Sequence, residues 1–278
     1  MSTKKFGQPI PTIDDSRLSP FLDTSQPNSA RIFNYLLGGS AHFEVDRQAA
    51  RQLLAVLPSL DKWVRLRHAF ALEAAQRLAE QGFEQFLDLG SGMPTDDHMH
   101  TFLPNSRIIY SDINPVAVSY GNSLFAEFEN VFYIHGDVTK VEVILQASPV
   151  RRLLDMKQKI AIGLNSVSIF LSEADNQKLS GALYEWAPIG SKVFVVLQTL
   201  EKSTPQYEQF LAINKKAGLP LQLYTLQQSI EMLKPWHLRH LEPIAEFLGL
   251  PEDYISESDR ASFGFAFHAT FLEKEPPE

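Results

Sequence analysis

The sequence predicts an α/β fold built on a doubly wound, mostly parallel sheet, with a helical extension before it and an antiparallel strand pair after it. After Gly82, short apolar runs alternate with amphipathic stretches, as in βαβ units. The section before Gly82 has helical spacing, and two strand-like segments lie near the end of the 278-residue chain. A chain of this length can hold one large α/β domain with additions, or two small domains.

Local composition predicts that the chain is divided into three segments. Residues 1–22 are polar and rich in Pro, Ser and Asp, so we expect a loose N-terminal arm. Residues 23–81 are predicted to form a helical lid. Residues 82–278 are predicted to form a Rossmann-like domain, because five strands joined by right-handed crossovers give a doubly wound sheet.

Apolar periodicity, together with Gly and Pro, sets the expected bounds of each element. The lid helices are expected at residues 28–37, 44–57 and 60–80, the first of them ending at the glycine pair 38–39. The parallel strands are expected at 83–89, 107–111, 131–135, 159–164 and 192–197, with helices at 97–102, 115–128, 141–154 and 173–186. The closing antiparallel pair is expected at 236–242 and 263–272.

Overall composition restricts the partners and the chemistry. Acidic residues outnumber basic ones by 33 to 25, and the formal net charge of -8 disfavours binding to nucleic acid or to anionic membranes. The absence of cysteine excludes disulfides, thiolate nucleophiles and Cys-ligated metal sites. The sequence shows neither a signal peptide nor an apolar run of about 18 residues. We therefore expect a cytoplasmic protein that acts on a small molecule.

Three acidic residues follow three successive predicted strands, at the edge where an open α/β sheet binds its ligands. Asp88 precedes a turn in which Gly90 and Gly92 allow tight bending and close approach of a ligand. Asp112 and Asp137 follow the second and third strands. A single Asp at a strand end is more often a helix N-cap than a ligand contact. Three such residues, each at the end of a predicted strand, favour a ligand-binding site.

The charge of the first turn distinguishes between two kinds of cofactor. A dinucleotide would bring its pyrophosphate to this turn, where the carboxylate of Asp88 would repel it. The G-x-G-x-x-G fingerprint of dinucleotide-binding proteins also requires a third glycine, and Thr95 stands at that position. S-adenosylmethionine (SAM) has no phosphate and carries an ammonium and a sulfonium. We therefore predict a SAM site in which Asp112 accepts hydrogen bonds from the ribose hydroxyls. Asp137 would accept a bond from the adenine amine, with Val138 beside it.

At these residues the sequence resembles a family of bacterial SAM-dependent methyltransferases once catalogued as a domain of unknown function, DUF574. The matching segments are D-T-S-Q-P-N-S-A-R-I-F-N-Y-L-L-G-G at 23–39, F-L-D-L-G-S-G-M-P-T at 86–95 and Y-S-D-I-N-P at 110–115. The resemblance covers about residues 23–190. It implies a class I methyltransferase fold and SAM binding, with Ser91 and Ile113 among the cofactor contacts, and it does not indicate the methyl acceptor.

The chain departs from the family pattern at three places. The family usually has a second acid where Asn114 stands. Arg67 and His68 occupy positions at which the resemblance leads us to expect Asn-Arg. The front half of the run Asp-Asp-His-Met-His at 96–100 also differs from the family's usual small residues.

Four further residues are candidates for roles near the cofactor or in the core. Arg31 and Tyr35 share a helix face and could close over the cofactor together, Arg31 on a carboxylate and Tyr35 on the ring or ribose. Asn165 follows the fourth strand, where class I methyltransferases place residues that face the transferred methyl group. His135 lies in an apolar strand and is expected in the core. No metal is predicted for residues 96–100, because adjacent ligands on a helix point apart.

Two other functions stay open at this point. A non-catalytic SAM-binding protein would keep the same site, and the sequence identifies no general base. A nicotinamide-dependent oxidoreductase is disfavoured by Asp88 and Thr95. If the protein is a methyltransferase, we expect the lid helices within residues 28–80 to cover the cofactor and to build the acceptor pocket.

Overall fold

A seven-stranded sheet forms the centre of the computed structural model, which describes residues 23–95, 97–216, 221–259 and 265–276. Its strands are β1 (Gln85–Leu89), β2 (Arg107–Asp112), β3 (Val131–His135), β4 (Ala161–Gly163), β5 (Lys192–Leu200), β6 (His237–Pro243) and β7 (Phe265–Glu273). Their order across the sheet is β3-β2-β1-β4-β5-β7-β6. Strands β1 to β5 are parallel, and β7 pairs antiparallel with β5 and β6. The predicted fold class is confirmed.

Helices precede the sheet and connect its strands. They are α1 (Ser29–Leu36), α2 (Glu44–Val56), α3 (Leu60–Glu80), α4 (Met99–Phe102), α5 (Pro115–Leu124), α6 (Val141–Leu145), α7 (Ser148–Leu153), α8 (Glu173–Trp186), α9 (Pro205–Lys216), α10 (Leu226–Met232) and α11 (Ile244–Phe247). Among these described elements, no helix has both the length and the apolar character needed to cross a membrane.

Several predicted bounds were wrong. The single helix expected at 141–154 is two helices, α6 and α7, because Pro149 lies in the first turn of α7 and has no N–H with which to continue α6. Strand β4 has only three residues, and β5 extends to Leu200. Helices α9, α10 and α11 lie where none was predicted, although Thr225 and Gln228 form a capping box at the start of α10. The first two residues of the predicted 263–272 strand lie outside the described ranges.

The central strands β1, β4 and β5 are buried on both faces of the sheet, which explains their apolar sequences. Phe86 and Phe194 belong to the core shared with α1, α2 and α3. Leu87 and Val195, their neighbours in sequence, belong to the second core, which is shared with α6, α7 and α8. Helices α1 to α3 therefore cover one face of the sheet.

A buried carboxylate joins the first two helices. The Oδ2 atom of Asp46 accepts hydrogen bonds from Arg31 Nε at 2.7 Å and from the Phe43 backbone N–H at 2.8 Å. Its Oδ1 atom accepts one from the Asn28 backbone N–H at 2.9 Å. Because Asp46 is fully buried and Arg31 is 1% exposed, this ion pair fixes α1 against α2 out of contact with water.

Two asparagine side chains connect α1 to the sheet edge. Asn28, the N-cap of α1, accepts a hydrogen bond from Asn114 Nδ2 at 2.9 Å, and its own Nδ2 lies 3.4 Å from Asn114 Oδ1. Asn114 is the N-cap of α5, two residues after Asp112. The start of α1 is thus bonded to the loop that follows β2.

Candidate functional site

The turn after β1 requires glycine at two positions. Gly90 and Gly92 have φ angles of +71° and +69°, in the left-handed region that side chains disfavour. A Cβ atom at Gly90 would also lie 2.5 Å from Val167 Cγ2, on the loop after β4. The backbone N–H groups of Gly90 and Ser91 both donate to the Ser111 carbonyl, at 2.8 and 3.0 Å. The turn is therefore fixed between the ends of β2 and β4.

Asp112 organises the end of β2. Its two carboxylate oxygens accept hydrogen bonds from the backbone N–H groups of Gly92 and Asn114, each at 2.8 Å. Burial raises the pKa of Asp112, while these two hydrogen bonds oppose that change. Each oxygen keeps a further lone pair for a ligand hydroxyl. The residue can thus hold the glycine turn and bind a ligand at the same time.

Asp88 places a second carboxylate under the same turn. It is 7% exposed, and burial raises its pKa to about 6, with a smaller contribution from the nearby negative charge of Asp112. Strand β4 makes room for it: a Cβ atom at Gly163 would lie 2.2 Å from Asp88 Oδ1. The buried Asp88 and the half-buried Asp112 together favour a cationic ligand, since a cation would compensate for the loss of hydration of the two carboxylates.

The end of β3 is more open. Asp137 accepts hydrogen bonds from the backbone N–H and the hydroxyl of Thr139, at 2.9 and 2.7 Å, and so caps the short 3₁₀ turn that begins at Val138. These bonds lower its pKa. Ile113 is 60% exposed beside it. The expectation that His135 lies in the core was wrong: β3 is an edge strand, and His135 is exposed with Nε2 3.0 Å from the Ile113 carbonyl.

The loop after β4 contains a buried amide, that of Asn165. Both of its polar side-chain atoms are inaccessible to water and have no hydrogen-bond partner among the residues that the structure describes. The next residue, Ser166, has a φ of +63°, which is uncommon for a residue with a side chain. An unpaired buried amide costs free energy, and a ligand that donates to it and accepts from it would recover this cost.

The structure places Arg31 and Tyr35 in the predicted lid. The Arg31 guanidinium donates to Asp46 and, through Nη2, to the Gln26 carbonyl at 2.7 Å. Two of its donors are therefore already used inside the protein. Tyr35 is half-buried, with its ring edge-on to His42 at 5.0 Å between centroids.

Arg67, one of the departures from the family pattern, lies buried among α1, β5 and β7. Its Nη1 atom donates to Gln198 Oε1 at 3.3 Å, and its guanidinium carbon lies 5.7 Å from the Phe33 ring centre and 5.9 Å from that of Phe267. Burial lowers its pKa to about 10. The aromatic rings and the amide offset part of the cost of burying this cation.

His68 and Asp97 form a polar cluster that the sequence did not reveal. His68 Nε2 lies 2.9 Å from Asp97 Oδ1, and the Thr95 hydroxyl donates to the same oxygen at 2.8 Å. These residues line a cleft of about 200 Å³ together with residues of α1 and α5, among them Asn34 and Tyr120. The unexpected histidine at position 68 was the available signal, but its partner lies 29 residues away.

Comparisons with known proteins identify the family and the fold. Residues 15–243 match the model of the S-adenosyl methyltransferase family. A candidate methyltransferase of Thermobifida fusca YX is 28% identical, with a TM-score of 0.79 over 92% of this chain and 98% of that chain. A DUF574 family protein of Streptomyces avermitilis MA-4680 is 23% identical, with a TM-score of 0.77 over 91% of this chain and 99% of that chain.

A more distant likeness concerns the fold alone. The geranyl diphosphate C-methyltransferase of Streptomyces coelicolor A3(2), solved with Mg²⁺, geranyl diphosphate and S-adenosylhomocysteine, is 12% identical, with a TM-score of 0.51 over 87% of each chain. No curated protein matches the sequence. The family model matches well over half of the chain, so family membership rests on it.

Proposed function

Since the chain belongs to the S-adenosyl methyltransferase family, we propose that it is an active enzyme that transfers the methyl group of SAM to a small-molecule acceptor. The buried Asp88 carboxylate beneath the glycine turn is the observation that carries this proposal. It suits a cofactor with a sulfonium and an ammonium and would repel a pyrophosphate. The small cleft beside the turn supports an acceptor of modest size.

The strand ends suggest how SAM would lie across the sheet. We assign the ribose hydroxyls to Asp112, and the adenine to the more open end of β3, beside Ile113, Asp137 and Val138. The methionine part would then lie along the turn Gly90-Ser91-Gly92, above Asp88. Arg31 and Tyr35 belong to this proposal as residues of the lid, which would cover the cofactor.

The chemistry required of the protein is mainly alignment. Methyl transfer from a sulfonium is an in-line displacement, so the acceptor atom, the methyl carbon and the sulfur must be held nearly collinear. Positioning of this kind lowers a barrier by several kcal/mol, up to about 7–11 kcal/mol in the best cases. The unpaired Asn165 amide on the loop after β4 is suitably placed to orient the methionine part or the acceptor.

The proposed cofactor can be tested by isothermal titration of the wild-type protein with S-adenosylhomocysteine and, separately, with NAD⁺. We expect saturable binding of S-adenosylhomocysteine and none of NAD⁺, because the carboxylate under the turn repels a pyrophosphate. Binding of NAD⁺ alone would favour the oxidoreductase alternative. Release of S-adenosylhomocysteine from SAM during an acceptor screen would separate an enzyme from a non-catalytic binding protein.

SAM binding is also expected to depend on pH through Asp88. With its pKa raised to about 6, this carboxyl is protonated in the free protein below that pH and ionised above it. Since SAM is cationic, it binds the ionised form better, and its affinity should fall by up to about tenfold per pH unit below pH 6. Titrations at several pH values measure this. Asp88→Asn should bind SAM weakly at every pH, and a variant with the wild-type slope would contradict the assignment.

A further inference from the structure

The cluster of His68, Asp97 and Thr95 lines the cleft, and Thr95 comes three residues after Gly92 of the glycine turn. His68 projects from α3, one of the helices that cover this face of the sheet. The His68 side chain is 19% exposed and the Asp97 side chain 54% exposed. The imidazole is therefore held by protein contacts but stays accessible to a molecule in the cleft.

The contacts of His68 define its tautomer. Because Nε2 lies 2.9 Å from a carboxylate oxygen, which can only accept, this nitrogen carries the hydrogen and donates a hydrogen bond to Asp97. In the neutral imidazole, the other ring nitrogen, Nδ1, is then the acceptor. The hydroxyl of Thr95 donates to the same carboxylate oxygen at 2.8 Å and fixes its position.

Two carboxylates and a second imidazole lie near His68. Asp97 is in direct contact, and the Asp88 carboxylate is close enough to interact electrostatically with the imidazole. The ring of His98 lies 6.5 Å away between centroids, and burial lowers the pKa of His98 to about 3. His98 is therefore neutral near pH 7 and does not oppose a positive charge on His68.

We propose that His68 is the general base of the reaction, that Asp97 is its positioning residue, and that the cleft binds an acceptor with a neutral hydroxyl group. This inference rests on the proposed function. A hydroxyl oxygen is a weak nucleophile while it keeps its proton, so its methylation benefits from a base within hydrogen-bond reach. The polar residues Asn34 and Ser40 also line the cleft.

Methyl transfer to the acceptor is accompanied by transfer of the acceptor's proton to His68. The acceptor O–H bond breaks and its proton moves to His68 Nδ1. The oxygen forms a bond to the methyl carbon while the carbon–sulfur bond breaks, and the bonding electrons stay on sulfur. The products are a methyl ether, S-adenosylhomocysteine, in which the sulfur is uncharged, and a His68 imidazolium. The Asp97 carboxylate stabilises this imidazolium.

The resemblance to the family predicts arginine where His68 stands. An arginine side chain is always protonated in proteins and accepts no proton. A base at this position is thus a property of this chain's own sequence and does not follow from family membership.

Binding of 4-nitrophenol to the protein saturated with S-adenosylhomocysteine tests the proposal, because the ionised and neutral forms of this phenol absorb at different wavelengths. The measurement is made below the pH at which the free phenol ionises. We expect the wild-type protein to bind the probe in its ionised form, since its proton passes to His68. His68→Gln, which can still donate to Asp97, should bind the probe in its neutral form.

Two further variants separate the roles. Asp97→Asn should lower the ionised fraction of the bound probe without a comparable loss of affinity, as expected of a positioning residue. His237→Gln, a change at an exposed histidine on β6, should behave like the wild type. All three variants should bind S-adenosylhomocysteine within about twofold of wild type.

Three results would overturn the assignment of His68 while leaving the proposed function intact. They are failure of the S-adenosylhomocysteine-loaded wild type to bind the phenol, a neutral bound probe in the wild type, and an ionised bound probe in His68→Gln. If the wild type does not bind S-adenosylhomocysteine in the preceding titration, the proposed function itself fails, and this inference with it.

Discussion

Asp112→Ala is expected to lower the affinity for S-adenosylhomocysteine by at least about 100-fold. Two charge-assisted hydrogen bonds to the ribose would each contribute about 1.5–3 kcal/mol, and their sum corresponds to this factor or more. The same substitution releases the backbone N–H groups of Gly92 and Asn114, so the glycine turn also loses its fixed position. Isothermal titration gives the affinity.

Two other variants make this experiment specific. Asp112→Asn keeps one oxygen to accept from the backbone but has no charge, so it should bind with an affinity between those of wild type and Asp112→Ala. Glu142→Ala removes an exposed carboxylate on α6 and should bind like the wild type. If Asp112→Ala keeps its melting temperature and binds normally, the ribose site has been placed wrongly.

Asp46→Ala is expected to lower the free energy of unfolding by about 3–5 kcal/mol, because removal of one partner leaves the buried Arg31 cation uncompensated. The substitution also removes the acceptor for the backbone N–H groups of Asn28 and Phe43. Urea denaturation, followed by circular dichroism, measures the change.

Glu44→Ala, in the same helix, is the matched control. Glu44 is paired with Arg47 and Arg51 on the surface, where water screens the charges, so its loss should leave the denaturation midpoint almost unchanged. Equal midpoints for the Asp46 and Glu44 variants would show that the buried ion pair does not hold the first two helices together.

The parallel strands were predictable because burial on both faces leaves a continuous apolar run in the sequence. The same signal gave too long a strand at 159–164, where only the three residues Ala161–Gly163 form β4. It fails again for α10 and α11, because helices of seven and four residues carry too few apolar positions to show a period. The break between α6 and α7 was marked by Pro149 and could have been predicted.

Topology explains why part of the candidate site could be predicted. Parallel strands bring their carboxyl ends to one edge, so Asp88 and Asp112 were expected to lie close together, and the register of β1 and β2 pairs Asp88 with Tyr110, two residues before Asp112. The pairs Arg31–Asp46 and His68–Asp97 join residues whose meeting depends on how helices pack, which no local pattern encodes. The lack of any partner for Asn165 likewise appears only in three dimensions.

The reciprocal pairing of Asn28 with Asn114 has an evolutionary consequence. Each amide donates to the other and accepts from it, and each also caps its own helix. A change at either position alone leaves a half-buried donor or acceptor unmatched. The two positions should therefore be inherited as one unit, so that in related sequences an acid at 114 is accompanied by a residue at 28 that can donate to it.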